Sequence, residues 1–157
     1  YEETVGIKTE LKKIRNKALA ELQKLFDKNA DKLFLVCKVV DANSVQYKKN
    51  TPLDVLYDNM DNYINGLSND KNKKRTAQDF LNIASLDMET LKLRALIKDA
   101  TWYKVFGTRP DGYIYHLKSN TMLGKTPADI VEYLKNPLNE DILKELTANV
   151  ENYWYNG

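Results

Sequence analysis

Apolar positions along the chain recur first at helical spacing, then briefly at strand spacing, then at helical spacing again. Ile7, Leu11, Ile14, Ala18, Leu22 and Leu25 fall three and four residues apart, which predicts one amphipathic helix over Glu3 to Lys28. Its stripe must be buried against the rest of the domain or against another chain. Only about three heptads are present, and Leu19 and Phe26 widen the stripe beyond a coiled-coil seam. Leu33 to Val40 is apolar except for Lys38, and the β-branched Val36, Val39 and Val40 favour a buried strand over a buried helix. Thr51-Pro52 reads as a helix cap followed by proline at the first helical position, and Leu53, Leu56, Tyr57, Met60 and Ile64 form the inner face behind it. Gly66 and the polar run Ser68 to Lys74 end that helix.

Thr76 to Ala84 then reads as a short helix, Ser85-Leu86-Asp87 as a turn and Met88 to Ala100 as a second helix. The period switches to two in Trp102 to Phe106 and in Tyr113 to Lys118, two strands around the turn Thr108-Arg109-Pro110-Asp111-Gly112. Thr126-Pro127 starts another helix with Ile130, Val131 and Leu134 inside, and Asn136-Pro137 stops it. Ile142, Leu143, Leu146 and Val150 mark a last helix that runs into Tyr153-Trp154-Tyr155. The expected class is α+β and predominantly helical, a helix bundle with one hairpin.

The order helix, helix, turn, helix, hairpin over Thr51 to Lys118 resembles winged helix-turn-helix DNA-binding domains, with Pro52 to Asn65 as the first helix. The turn departs from the common pattern because it lacks glycine. The resemblance implies that the helix from Met88 enters a major groove and that the hairpin serves as a wing. On that helix Leu93, Leu96, Ile97 and Ala100 lie within about 100° of arc, while Thr90, Arg94, Lys98 and Thr101 share the other side. Cations and hydroxyl groups on one face are the donors that phosphates and base edges require.

Charge supports that placement more than composition does. The net charge of the 157 residues is only +2, but residues 68 to 125 hold eleven basic and six acidic side chains, a local excess of +5. Residues 126 to 157 hold two basic and six acidic ones and sum to −4. Lys71, Lys73, Lys74 and Arg75 form a basic cluster just before the short helix. The candidate nucleic-acid contacts are therefore Lys73, Lys74, Arg75, Thr90, Arg94, Lys98, Lys104, Arg109 and Lys118.

Other chemistries find little in the sequence. No run reaches the roughly 20 apolar residues of a membrane span, and the N-terminus carries no signal pattern. The single cysteine, Cys37, cannot form an internal disulfide, which points to an intracellular, cytoplasmic setting. One histidine and one cysteine make no zinc cluster, and Cys37 sits in an apolar run that raises its pKa. Ser119 to Thr126 ends in Gly-Lys-Thr, but a nucleotide-binding loop would begin with glycine where Ser119 stands, and Pro127 removes an amide; Thr126 is better read as a helix cap. Pro110-Asp111 and His116-Leu117-Lys118 are similar in part to a metal-dependent nuclease, yet the second metal-binding carboxylate is missing. Asp54, Asp58 and Asp61 share one helix face as solvated carboxylates. No catalytic, metal or cofactor residue is assigned.

The expectation is one domain over residues 1 to 157, comprising the long helix of residues 1–30, the winged-helix-like core of 51–118 and the C-terminal helices of 126–155. Because the chain opens on Tyr1 and not Met, it reads as a fragment of a longer chain or a processed product. The expected partner is nucleic acid, double-stranded DNA before RNA. The alternative is a structural or protein-interaction module, of the kind a phage or mobile element carries, with a second copy or another protein on residues 1–30 and the aromatic C-terminus as a further contact; a metal-dependent nuclease is the second alternative.

Overall fold

The first helical stripe folds as α1, Glu2–Lys28, in a computed structural model that describes residues 2–66 and 76–156. Ala18, Leu22 and Leu25 are buried, whereas Leu11 is 49% exposed and Ile14 half-buried, so the stripe is covered only toward its C-terminal end. Each fully buried leucine contributes about 2 kcal/mol of apolar transfer. The described residues hold seven α-helices and one three-stranded antiparallel sheet, so the fold is α+β and mostly helical. No helix among them is long and apolar enough to cross a membrane.

The chain divides into two compact units, Tyr1–Ala42 with Thr51–Leu86, and Asn43–Asn50 with Asp87–Gly157. In the first, α1 packs with α2 (Ala30–Val40), α3 (Leu53–Ile64) and α4 (Thr76–Ala84). The strand expected over Leu33 to Val40 is instead helix α2. Every side chain from Leu33 to Lys38 is buried, Lys38 included, so this stretch of the helix is covered all round. Asn29 supplies the start, its side chain accepting the Lys32 amide at 3.2 Å. Burial also pushes the Cys37 thiol far above its ordinary pKa, with the nearby Asp41 acting in the same direction.

The start of α3 differs from expectation too. Pro52 occupies the cap position without a side-chain bond, and the helix begins at Leu53, so Thr51 does not cap it. Its end is as read. Gly66 takes the left-handed conformation (φ 73°) that follows a helix, and its amide reaches the Tyr63 carbonyl at 3.0 Å. Phe80 and Ala84 bury the inner face of α4, and the Thr76 hydroxyl donates to the Ile64 carbonyl at 3.3 Å.

The second unit is built around α5, Met88–Trp102, which packs against α6 (Pro127–Lys135), α7 (Glu140–Asn156) and strand β1 (Phe106–Thr108). Asp87 caps α5 by accepting the Thr90 amide at 3.1 Å. Strands β1, β2 (Ile114–His116) and β3 (Thr121–Gly124) form the sheet in sequence order, with Phe106 opposite His116 and Thr108 opposite Ile114. The first expected strand is displaced. Trp102 belongs to α5 and the strand starts only at Phe106, because the chain leaves the helix through a closed turn. The amide of Val105 reaches back to Ala100 O at 2.9 Å and that of Lys104 to Thr101 O at 3.4 Å, with Lys104 itself left-handed at φ 58°. This is the Schellman closure, in which that position is usually glycine.

The hairpin turn forms as its residues dictate. Arg109 O accepts the Gly112 amide at 2.9 Å, Gly112 takes φ 89°, and Asp111 Oδ1 accepts the Tyr113 amide at 3.1 Å. The third strand lies where a loop was expected. Thr126 does cap α6, accepting the Asp129 amide at 3.2 Å. Asp99, fully buried on α5, accepts the Trp154 indole N–H at 2.5 Å and the Ser44 hydroxyl at 3.2 Å, tying α7 and the 43–50 segment to the unit's core.

Candidate nucleic-acid interface

The ladder between β1 and β2 extends past its last regular pair, since the Leu117 amide donates to Val105 O at 3.1 Å. Beyond that bond the ladder stops, with Lys104 in the turn that closes α5 and Lys118 in the turn that follows β2. Both are exposed, and neither forms a salt bridge among the described residues. Lys104 holds a left-handed backbone that glycine would adopt without strain.

Alongside them runs a groove of about 630 Å³ lined by Lys104, Val105, Leu117 and Lys118 from the hairpin and Ala148, Asn149, Asn152 and Tyr153 from α7. Its aromatic member is held firmly. Tyr153 stacks on Tyr103 with ring centroids 4.0 Å apart and planes within 4°. Lys48 fixes the pair, its Nζ donating to Tyr103 Oη at 2.6 Å and to the Tyr153 carbonyl at 3.0 Å.

His116 lies behind this groove and is fully buried. Its Nδ1 is 2.7 Å from Ser119 Oγ, which in turn donates to Thr121 Oγ1 at 2.8 Å, and its Nε2 is 3.2 Å from Asn149 Nδ2. Asn149 thus donates to an unprotonated Nε2, and Nδ1–H donates to Ser119. Burial holds the imidazole below its ordinary 6.5; Glu145 opposes this and Lys118 reinforces it. Because the unfolded chain binds the proton more readily, stability from this neutral histidine is full above pH 6.5 and is lost as pH falls through and below that value. Thermal melts from about pH 7.5 to pH 5 should therefore show a falling Tm in the wild type and a flatter profile in His116→Gln. Equal slopes in both proteins would contradict the neutral, buried assignment.

The other sequence candidates are dispersed. Lys73, Lys74 and Arg75 lie outside the described residues. Thr90 is committed to the helix start, donating its hydroxyl to Asp87 Oδ1 at 2.7 Å and accepting Lys135 Nζ at 3.0 Å. Those hydrogen bonds from Thr90 lower the pKa of Asp87, keeping a negative charge at the N-terminus of α5. Arg94 is exposed and Lys98 half-buried. Arg109 is exposed at the hairpin tip with its guanidinium 5.3 Å from the Tyr115 ring centroid, at the opposite end of the hairpin from the lysine pair. Lys104 and Lys118 are the two that the fold brings together. Asn149, Asn152, Tyr153 and Lys48 escaped the sequence reading, although the aromatic cluster near Tyr153 was a visible signal. Asp54 and Asp58 lie beside Phe26 and Tyr57 in the first unit, and no group of three or more His, Cys, Asp or Glu side chains suited to a metal assembles among the described residues.

No family model matches the chain, and no curated protein or solved structure is detectably similar to it.

Proposed function

We propose that the chain is a nucleic-acid-binding domain whose phosphate contacts are made at the open end of the β1–β2 hairpin. The observation that carries this reading is that two exposed cations, Lys104 and Lys118, line one groove, Lys104 at a cost in backbone strain. In a winged-helix arrangement α5 would instead lead, with Thr90, Arg94 and Lys98 in a duplex groove and Arg109 on the wing. Three facts weigh against giving α5 that role. The polar face that would enter the groove, Thr90, Arg94, Lys98 and Thr101, spans only about 80° of arc at 100° per residue. Thr90 is already engaged, and α4 belongs to the first unit while α5 belongs to the second.

Fluorescence anisotropy against a labelled single strand, a duplex and a structured RNA, at about 50 and 200 mM salt, tests the proposal. Lys118→Glu should remove most of the salt-sensitive affinity, whereas Arg94→Glu should change it little. Absence of salt-dependent binding to every nucleic acid would overturn the reading. A protein partner on residues 1–30 is favoured by one separate observation, the uncovered Leu11 on α1. If it is correct, Leu11→Asp should abolish an oligomer or complex seen by sedimentation.

A further inference from the structure

Resting on the nucleic-acid reading, we infer that the groove of the second unit takes a single strand, with phosphates on Lys104 and Lys118 and a base stacked on Tyr153. The shape argues first. A duplex offers its own grooves to convex elements such as a helix or a ribbon, whereas this site is a shallow, open groove of about 630 Å³, of a size for unpaired bases and their backbone. The aromatic argues second. Tyr153 is 39% exposed and lines the groove, yet one face of its ring is already covered by Tyr103, so its orientation is set before any ligand arrives. The backing is itself fixed by Lys48, whose Nζ is 5.1 Å from the Tyr103 ring centroid and bonded to its hydroxyl. A base stacking on Tyr153 would extend an existing aromatic pair with little loss of side-chain freedom.

The remaining lining fits the same ligand. Asn149 and Asn152 add amide groups, which both donate and accept, to the same lining. Asn149 is oriented by His116 Nε2, which takes one of its amide hydrogens. That leaves its Oδ1 as an acceptor, suited to a base N–H such as the imide of thymine. A bare phosphate or mononucleotide shares part of this chemistry, but two lysines in one groove with a stacking ring match a segment of backbone with more than one phosphate.

The experiment compares a short oligodeoxythymidine, the matching duplex and thymidine monophosphate by anisotropy competition, with tyrosine fluorescence as a second readout. The single strand should bind at least tenfold more tightly than the duplex or the monophosphate, and should quench tyrosine emission. Tyr153→Leu should lose about tenfold or more in single-strand affinity, and Tyr153→Phe, which keeps the ring and the stack, should stay within about threefold. Thermal melts of both variants establish that the unit is folded. Equal or tighter binding to the duplex, or unchanged single-strand affinity in a folded Tyr153→Leu, overturns this inference and leaves the phosphate contact standing. Binding of the monophosphate alone reduces the site to an anion pocket and likewise overturns it. No salt-dependent binding to any of the three ends both readings.

Discussion

Replacing Asp99 by alanine is expected to destabilise the second unit by about 3 kcal/mol or more. Its carboxylate accepts hydrogen bonds from the Trp154 indole and the Ser44 hydroxyl in a site without solvent access. Hydrogen bonds to a charged group contribute about 1.5 to 3 kcal/mol each, and removal of the acceptor leaves two buried donors unmade. Asp99→Asn keeps an acceptor for the indole and should recover part of the loss. Trp154→Phe removes the donor and leaves the carboxylate underused, at a further cost of apolar area in a side chain only 1% exposed. The check is a urea midpoint for each single variant and for the double one. If Asp99 and Trp154 act through one bond, the two effects fall short of additivity. Full additivity would separate them.

Charge reversal at both groove lysines carries the second large effect, and it falls on binding. Each charge-assisted contact to phosphate is worth about 1.5 kcal/mol or more, roughly tenfold, so Lys104→Glu with Lys118→Glu should weaken single-strand binding about a hundredfold. The slope of log affinity against log salt should fall by about 1.4, at about 0.7 per single-strand phosphate. Lys104→Gly divides the effect by sign. Glycine relieves the left-handed backbone and should raise stability by about 0.5 to 1 kcal/mol, while the lost cation lowers affinity. A glycine variant that is more stable and binds equally well would remove Lys104 from the interface.

Legibility in the sequence followed the range of the interactions. Caps and turns are local chemistry, so Thr126 before α6 and Pro110-Asp111-Gly112 in the hairpin were read correctly from a few residues. The apolar face of α5 was read through Leu93, Leu96, Ile97 and Ala100, yet burial extends to Leu91, Ala95 and Asp99, because the helix is surrounded on more than one side. An aspartate among leucines gives no sign of whether it faces water or an indole 55 residues away. The α2 run failed for a different reason. Its β-branched residues argued for a strand, and burial of the whole run overrode that preference. At the end of α5 the alternation of Trp102 to Phe106 imitated a strand, while a single left-handed lysine decided where the helix stopped.

The candidate site was half visible for the same reason. Lys104 and Lys118 stood out by charge within the hairpin, but their meeting in one groove depends on how the chain leaves α5 and β2. Asn149, Asn152 and Tyr153 come from α7, more than 30 residues beyond the hairpin, and only tertiary packing brings them to the groove.

The most direct measurement is an amide chemical-shift titration of the folded chain with a short single-stranded oligonucleotide at low salt. Shifts should concentrate at Lys104 to Phe106, Leu117 and Lys118, and Asn149 to Tyr153, and should fade as salt is raised. A perturbation confined to α1, or one centred on Arg94 and Lys98 with the hairpin base unmoved, would contradict the account.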